Sequence, residues 1–166
     1  LFSARLFSTL ISALAVLVFY LLAQKVEQRS ALVRTLQFAF FPIIFPFFSL
    51  VYMDILALLL ALLGFLLVLR RHYTLAGLAG VLGVLARTNN ISWMAFLLVY
   101  LLVQEYGFDW RAPFRREEQR RFLSFTWTFW LGFALFAAFL VLNKGIAIGD
   151  KSTQPLFKLE LGNIYF

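Results

Sequence analysis

Thr35–Leu69 reads TLQFAFFPIIFPFFSLVYMDILALLLALLGFLLVL, and Asp54 is its one charged residue. As a single α-helix this stretch would run to roughly 50 Å, too long for one crossing of a hydrocarbon core about 30 Å thick even when tilted. It is therefore read as a hairpin of two short spans with Asp54 at the bend. His72–Gln104 has the same form, with Arg87 as its one charge and its bend. Leu6–Gln24 and Phe122–Leu142 carry no charge and each fits a single crossing. The chain is thus expected to be an all-α polytopic bundle of about six spans, near 6–24, 35–51, 55–69, 73–86, 91–105 and 122–142. These form one transmembrane domain, followed by a loop over 143–163.

Composition excludes the soluble alternatives. Hydrophobic residues make up 63% of the chain and charged residues 14%, against about 45–50% and about 25% in soluble domains. Folded in water, such a chain would expose large apolar patches. Disorder is excluded too, because so apolar a chain gains by burial. Without cysteine there is no disulfide framework or thiolate metal site. A single histidine, His72, leaves no His-based metal cluster and no Ser-His-Asp triad. No metal or nucleic-acid partner is expected, and membrane lipids are the immediate surroundings. The net charge of +7 is read as orientation across a bilayer.

Alternation of the six spans tests that reading. It puts Lys25, Arg29, Arg34, Arg70, Arg71, Arg111, Arg115, Arg116, Arg120 and Arg121 on one face. Arg5, Arg87, Lys144, Lys151 and Lys158 fall on the other. The richer face is the cytoplasmic one. Asp54, Arg87–Asn90 and Asn143–Asn163 then share the opposite face, although they are far apart in sequence. Gln24-Lys25-Val26-Glu27 reads as a membrane boundary and not as a signal-peptide cleavage site. The chain, opening at Leu1 and closing at Phe166, is expected to be an internal piece of a larger polytopic protein.

Five segments offer chemistry or its support. Pro42 and Pro46 lie four apart in Phe40–Phe48, and each removes a backbone donor and bends a helix. The result is either a kinked packing helix or a bent lining for a lipid tail. Asp54, after Tyr52-Met53, is either the cap of a helix starting at Ile55 or a carboxylate for a site. Gly77, Gly80 and Gly83, with Ala76, Ala79 and Ala86, make the fourth span small on one side and suit close helix packing.

Arg87-Thr88-Asn89-Asn90-Ile91-Ser92-Trp93 is the densest polar cluster within apolar sequence. An Arg and two Asn near hydrocarbon are costly unless paired or hydrated. Arg87 suits bidentate recognition of phosphate or carboxylate, and Trp93 is an interfacial anchor or a sugar-stacking platform. The alternative is a short hydrated turn with its arginine directed outward. Asn90-Ile91-Ser92 matches a glycosylation acceptor, but modification so close to the membrane is not expected. Finally, Asn143-Lys144-Gly145-Ile146-Ala147-Ile148-Gly149-Asp150-Lys151-Ser152 places two glycines, a carboxylate and two ammonium groups within ten residues. It is either an anion-binding loop or a loop of solvated charges.

These segments resemble the family of endoplasmic-reticulum α-1,2-glucosyltransferases that use dolichyl-phosphate glucose to complete the lipid-linked oligosaccharide of N-glycosylation. Arg87, Asn90, Ile91 and Trp93 sit at positions of an Arg-x-Thr/Asn-Asn-Ile-x-Trp signature, with Thr88 and Asn89 departing from the usual Gln-Thr. Asn143, Gly145, Ile146, Ile148, Gly149, Asp150, Lys151 and Ser152 match a second run, and Phe41, Pro42, Tyr52 and Asp54 match a Phe-Pro segment leading to Tyr-x-Asp/Glu. The resemblance covers roughly residues 36–166.

It implies a C-type glycosyltransferase that inverts at the sugar, with dolichyl-phosphate glucose as donor substrate and no certain cofactor. The acceptor would be the lipid-linked oligosaccharide. The membrane would be that of the endoplasmic reticulum, or the inner membrane in a bacterial source. Arg87, Lys151 and Lys144 are then expected near the donor phosphate. Asn90, Trp93, Asn143 and Ser152 shape the site, and Asp150 and Asp54 are its candidate carboxylates. The family's principal base belongs to an acidic motif upstream of Leu1. Asp54 and Arg87 are expected to pair across their two bends. A transporter and an inactive membrane fragment remain the competing readings; the first places ionisable groups near the midplane, often in inverted repeats, and none is visible here.

Overall fold

A computed structural model of the chain describes residues 2–42, 44–48, 53–107 and 116–143. Among the described residues there are six α-helices: α1 (Phe2–Val26), α2 (Ala31–Ala39), α3 (Met53–Leu69), α4 (Tyr73–Ala86), α5 (Ile91–Tyr106) and α6 (Arg116–Asn143). Short 3-10 turns occupy Gln28–Ser30, Phe45–Phe48 and Thr88–Asn90. Two of the helices are long and apolar enough to cross a membrane alone, over Arg5–Val26 and Glu118–Asn143. The expectation of about six spans, several of them short, thus meets two helices of sufficient length to cross alone. At about 1.5 Å per residue, α3 is roughly 25 Å long and α4 roughly 21 Å. Only 33% of the most apolar stretch of α1 and 22% of that of α6 is buried within the chain. Core helices of a soluble protein would be mostly covered.

The segment 35–51, expected as one span, is not one helix. α2 stops at Ala39, three residues before Pro42, where a missing donor and a ring clash prevent continuation. The freed backbone is partly re-bonded locally: the Ile44 and Phe45 N–H groups both donate to the Phe41 carbonyl at 2.9 Å. The broken segment nevertheless runs back along α1. Phe38 stacks on Phe19 with ring centroids 4.2 Å apart, and the Ser12 hydroxyl donates to the Phe48 carbonyl at 3.2 Å. As the chain advances from Phe38 to Phe48, its α1 neighbour retreats from Phe19 to Ser12, so the direction is antiparallel.

His72–Gln104 does form the expected hairpin, with its bend at Arg87–Asn90. Helix α4 is the centre of the bundle and packs on α3, α5 and α6. Its small residues make this possible. A Cβ on Gly77 would lie 2.7 Å from Thr128 Cβ, and one on Gly80 would meet Met94 Cγ at 3.0 Å. From α6, a Cβ on Gly132 would stand 2.8 Å from Met94 Sδ and 3.0 Å from Val81 Cγ2. Close approach between small residues is the way helices gain dispersion contact without a hydrophobic drive from lipid. The register of Gly77 with Thr128 and Val81 with Gly132 makes α4 and α6 parallel. Around them Val68, Ala76, Met94, Leu97, Leu101 and Phe129 are buried.

The end of α3 is closed by a Schellman-type turn. The Arg71 N–H donates to the Val68 carbonyl and the His72 N–H to that of Leu67, both at 2.9 Å. The left-handed position is taken by Arg71, at φ 61°, where glycine is usual. Across from it Glu105 accepts from the Tyr73 hydroxyl and lies 3.7 Å from Arg71 and 3.6 Å from Arg121. Its side chain is only 11% exposed. Lys25 and Arg70 line one cavity at this same end. The structure therefore gathers the arginine-rich boundaries at one end of the bundle and Asp54 with Arg87 at the other.

Candidate functional site

The site at the second end begins with Arg87, the residue at which α4 stops. Its backbone leaves the helix in an extended conformation, φ −153° and ψ 121°, while its N–H still donates to the Gly83 carbonyl. The side chain forms an ion pair with Asp54. Asp54 lies inside the first turn of α3, which begins at Met53, so it is not the cap of a helix starting at Ile55. A carboxylate there also complements the positive end of the helix dipole. The Asp54–Arg87 pairing expected from the two bends is present. Both partners keep access to solvent, with side chains 29% and 48% exposed.

Asn90 fixes the turn. It is buried, and its Nδ2 donates to the Ala57 carbonyl at 2.9 Å, one turn along α3 from Asp54. Gly83 leaves room for it, since a Cβ there would meet Nδ2 at 3.0 Å. The Ser92 hydroxyl closes the turn by donating to the Asn89 carbonyl at 2.7 Å. Asn90 is thus a brace between α5 and α3 that sets where Arg87 stands. Trp93 is 52% exposed and meets Phe96 edge to face, leaving much of its indole surface uncovered.

Beside Arg87 opens a cavity of about 480 Å³ between α4 and α6. Val81, Val84 and Leu85 line it from α4, and Gly132, Leu135, Phe136 and Phe139 from α6. Arg87, Thr88 and Asn89 form its polar rim. The cavity is apolar along its length and cationic at its mouth. An arginine has five N–H donors in a planar fork, so pairing with Asp54 leaves others for a second anion. This arrangement suits an amphiphile with an anionic head and a hydrocarbon tail.

The structure thus brings Asp54, Arg87, Asn90 and Trp93 to one rim. Asn143, expected at the start of a loop, is the last residue of α6; since α6 runs parallel to α4 and lines the Arg87 cavity up to Phe139, Asn143 falls at this end as well. Lys144, Asp150, Lys151 and Ser152 lie outside the described residues. The α6 lining was not singled out from sequence. Its signal was Gly132, the one glycine within an aromatic-rich span, whose partner could not be read from spacing.

A helical bundle with two long lipid-compatible helices and a cationic-mouthed apolar cavity is consistent with a membrane protein. The chain belongs to the DIE2/ALG10 family, whose model matches residues 1–120. The match takes in α1, ahead of the 36–166 region inferred from the motifs, and stops short of Asn143–Ser152. Among curated proteins the chain is similar to the Dol-P-Glc:Glc(2)Man(9)GlcNAc(2)-PP-Dol alpha-1,2-glucosyltransferase of Mus musculus, 27% identical over a gapped alignment of 172 positions that covers 81% of this chain and 36% of the relative. The Rattus norvegicus and Homo sapiens proteins of the same name are 25% and 26% identical, with the same coverage. The chain therefore spans about a third of the length of the curated relatives it matches. No solved structure matches it significantly.

Proposed function

We propose that this chain is part of a polytopic membrane glucosyltransferase that takes glucose from dolichyl-phosphate glucose and transfers it in α-1,2 linkage to a lipid-linked oligosaccharide. The observation that carries the reading is the junction of the Arg87 guanidinium with the apolar cavity between α4 and α6. A polyprenyl phosphate sugar has the same division, with a hydrocarbon tail, a phosphodiester and a polar sugar in that order. The names and family of the curated relatives support the reaction class. Six crossings, with α2 to Phe48 as a broken one and the Arg87 rim on the lumenal side of the endoplasmic-reticulum membrane, complete the proposed topology.

In this reading the acceptor hydroxyl oxygen attacks the anomeric carbon, the bond from that carbon to the phosphate oxygen breaks, and dolichyl phosphate leaves. The acceptor proton passes to a carboxylate base. Arg87 stabilises the charge that develops on the leaving phosphate, with Lys144 and Lys151 as further cations. Asp54 holds Arg87 in place. A carboxylate paired with a guanidinium loses that attraction on taking up a proton, so Asp54 suits positioning better than base work. Trp93 offers a stacking face to a sugar, and Asp150 is an acidic or structural partner of the loop.

The test is a transfer assay on the full-length protein with dolichyl-phosphate glucose and a lipid-linked acceptor. Arg87→Ala is expected to lower kcat/KM by about a hundredfold or more, the scale of losing one transition-state charge contact. Asp150→Ala is the companion variant. Unchanged turnover in both overturns the site assignment, and substrate flux in liposomes without glucosyl transfer favours a transporter.

A further inference from the structure

At the arginine-rich end a second cavity, about 280 Å³, is lined by Leu21, Gln24, Lys25, Gln28 and Arg70. It lies where α1 and α3 end, so two helix termini contribute one cation each. Among the described residues neither cation has an acidic partner, whereas Arg34 is paired with Glu27, and Arg71 and Arg121 with Glu105. Cations near helix C-termini ordinarily complement their own carbonyl ends. That does not explain why the two face one cavity, where each raises the cost of the other. The two carboxamides add neutral donors, although Gln24 Nε2 also donates to the Tyr20 hydroxyl at 2.8 Å.

We propose that this cavity binds the phosphate of an anionic phospholipid headgroup. Fixed cations at the membrane–water boundary, beside carboxamide donors and next to the apolar Leu21, match a headgroup phosphate lying above acyl chains. The cytoplasmic leaflet is rich in such lipids, and each Lys or Arg near its surface adds about one further increment of attraction. The inference rests on the proposed membrane topology but not on the transfer reaction. A larger groove, bounded by Phe19, Phe38 and Phe41, is mostly apolar, and its one cation, Arg34, is already paired with Glu27.

The experiment is native mass spectrometry of the full-length protein released from nanodiscs of equal phosphatidylcholine and phosphatidylserine. The wild-type protein is expected to retain phosphatidylserine preferentially. The double variant Lys25→Gln/Arg70→Gln is expected to lose that preference by roughly thirtyfold in affinity, with glucosyl transfer intact, since neither residue touches the Arg87 cavity. Competition by millimolar inorganic phosphate would show a site that also takes the free anion; failure to compete would make the lipid the source of the phosphate. Equal retention of both lipids by the wild type, or undiminished phosphatidylserine on the double variant, overturns the proposal. Lost transfer activity in the wild type with selective lipid retention would instead count against the glucosyltransferase reading alone.

Discussion

Asp54, in the first turn of α3, and Arg87, at the end of α4, form an ion pair that joins the two bends of the chain at one rim of the bundle. The pair sets the direction of the guanidinium at the mouth of the cavity between α4 and α6. Being partly exposed on both sides, it contributes about 1 kcal/mol to stability at most. Its weight lies in placement.

The two roles separate by charge exchange. Asp54→Arg and Arg87→Asp should each lower the melting temperature of the detergent-solubilised protein through like-charge repulsion. The double exchange should recover most of that loss but not the donor KM, because a carboxylate then occupies the phosphate-facing position. A double exchange as unstable as either single variant would show that the pair does not exist.

Asn90 is a brace, and its substitutions should rank accordingly. Asn90→Ala deletes the bond to the Ala57 carbonyl and is expected to cost about 1 kcal/mol. Asn90→Asp places an acceptor-only group against that carbonyl in a buried site and should cost more. Thermal melting gives the ranking; equal effects would mean that the bond has no weight.

The glycines of the packing seam should differ from one another. Gly77→Ala drives a methyl into the branched, buried Thr128, with little room to yield, and overpacking of this kind costs about 1–3 kcal/mol. Gly132→Ala meets the flexible end of Met94, which can rotate away. The first variant should melt well below the second.

Arg71 holds a left-handed backbone at φ 61° while facing Glu105 at 3.7 Å. Arg71→Ala loses the ion pair and keeps the strain, whereas Arg71→Gly loses the pair and relieves it. Glycine should therefore be the more stable of the two by about 1 kcal/mol. Glu105→Ala, which leaves Arg71, Arg121 and Tyr73 without their shared acceptor, should be the most damaging change at this end. Denaturation midpoints in one detergent test the order.

Much of this was legible in the residues. The lone charges Asp54 and Arg87 marked real bends because a charge within apolar sequence survives only where the chain meets water or a counter-ion, and each supplied the other's. The small face of α4 was equally plain, since three glycines at helical spacing serve little but close approach. The break in 35–51 was harder. Pro42 signalled a bend, but whether the chain continues as helix, turn or 3-10 segment depends on neighbours such as Phe19 and Ser12, which lie far away in sequence. Asp54 as a cap was a misreading of helix start by two residues, the usual uncertainty of a terminus read from pattern. The role of Asn90 was hidden for a related reason: its partner is a backbone carbonyl, which no side-chain motif announces.

The central claim is that the Asp54–Arg87 rim and the Glu105–Arg121 end face opposite compartments. The chain contains no cysteine, so single thiols introduced by Arg29→Cys and Asn89→Cys, both at exposed positions in turns between the spans, can be tested in sealed microsomes with a membrane-impermeant maleimide. Arg29→Cys should label in intact vesicles, and Asn89→Cys only after the membrane is permeabilised. Labelling of both from the cytosolic side in intact vesicles would contradict the account.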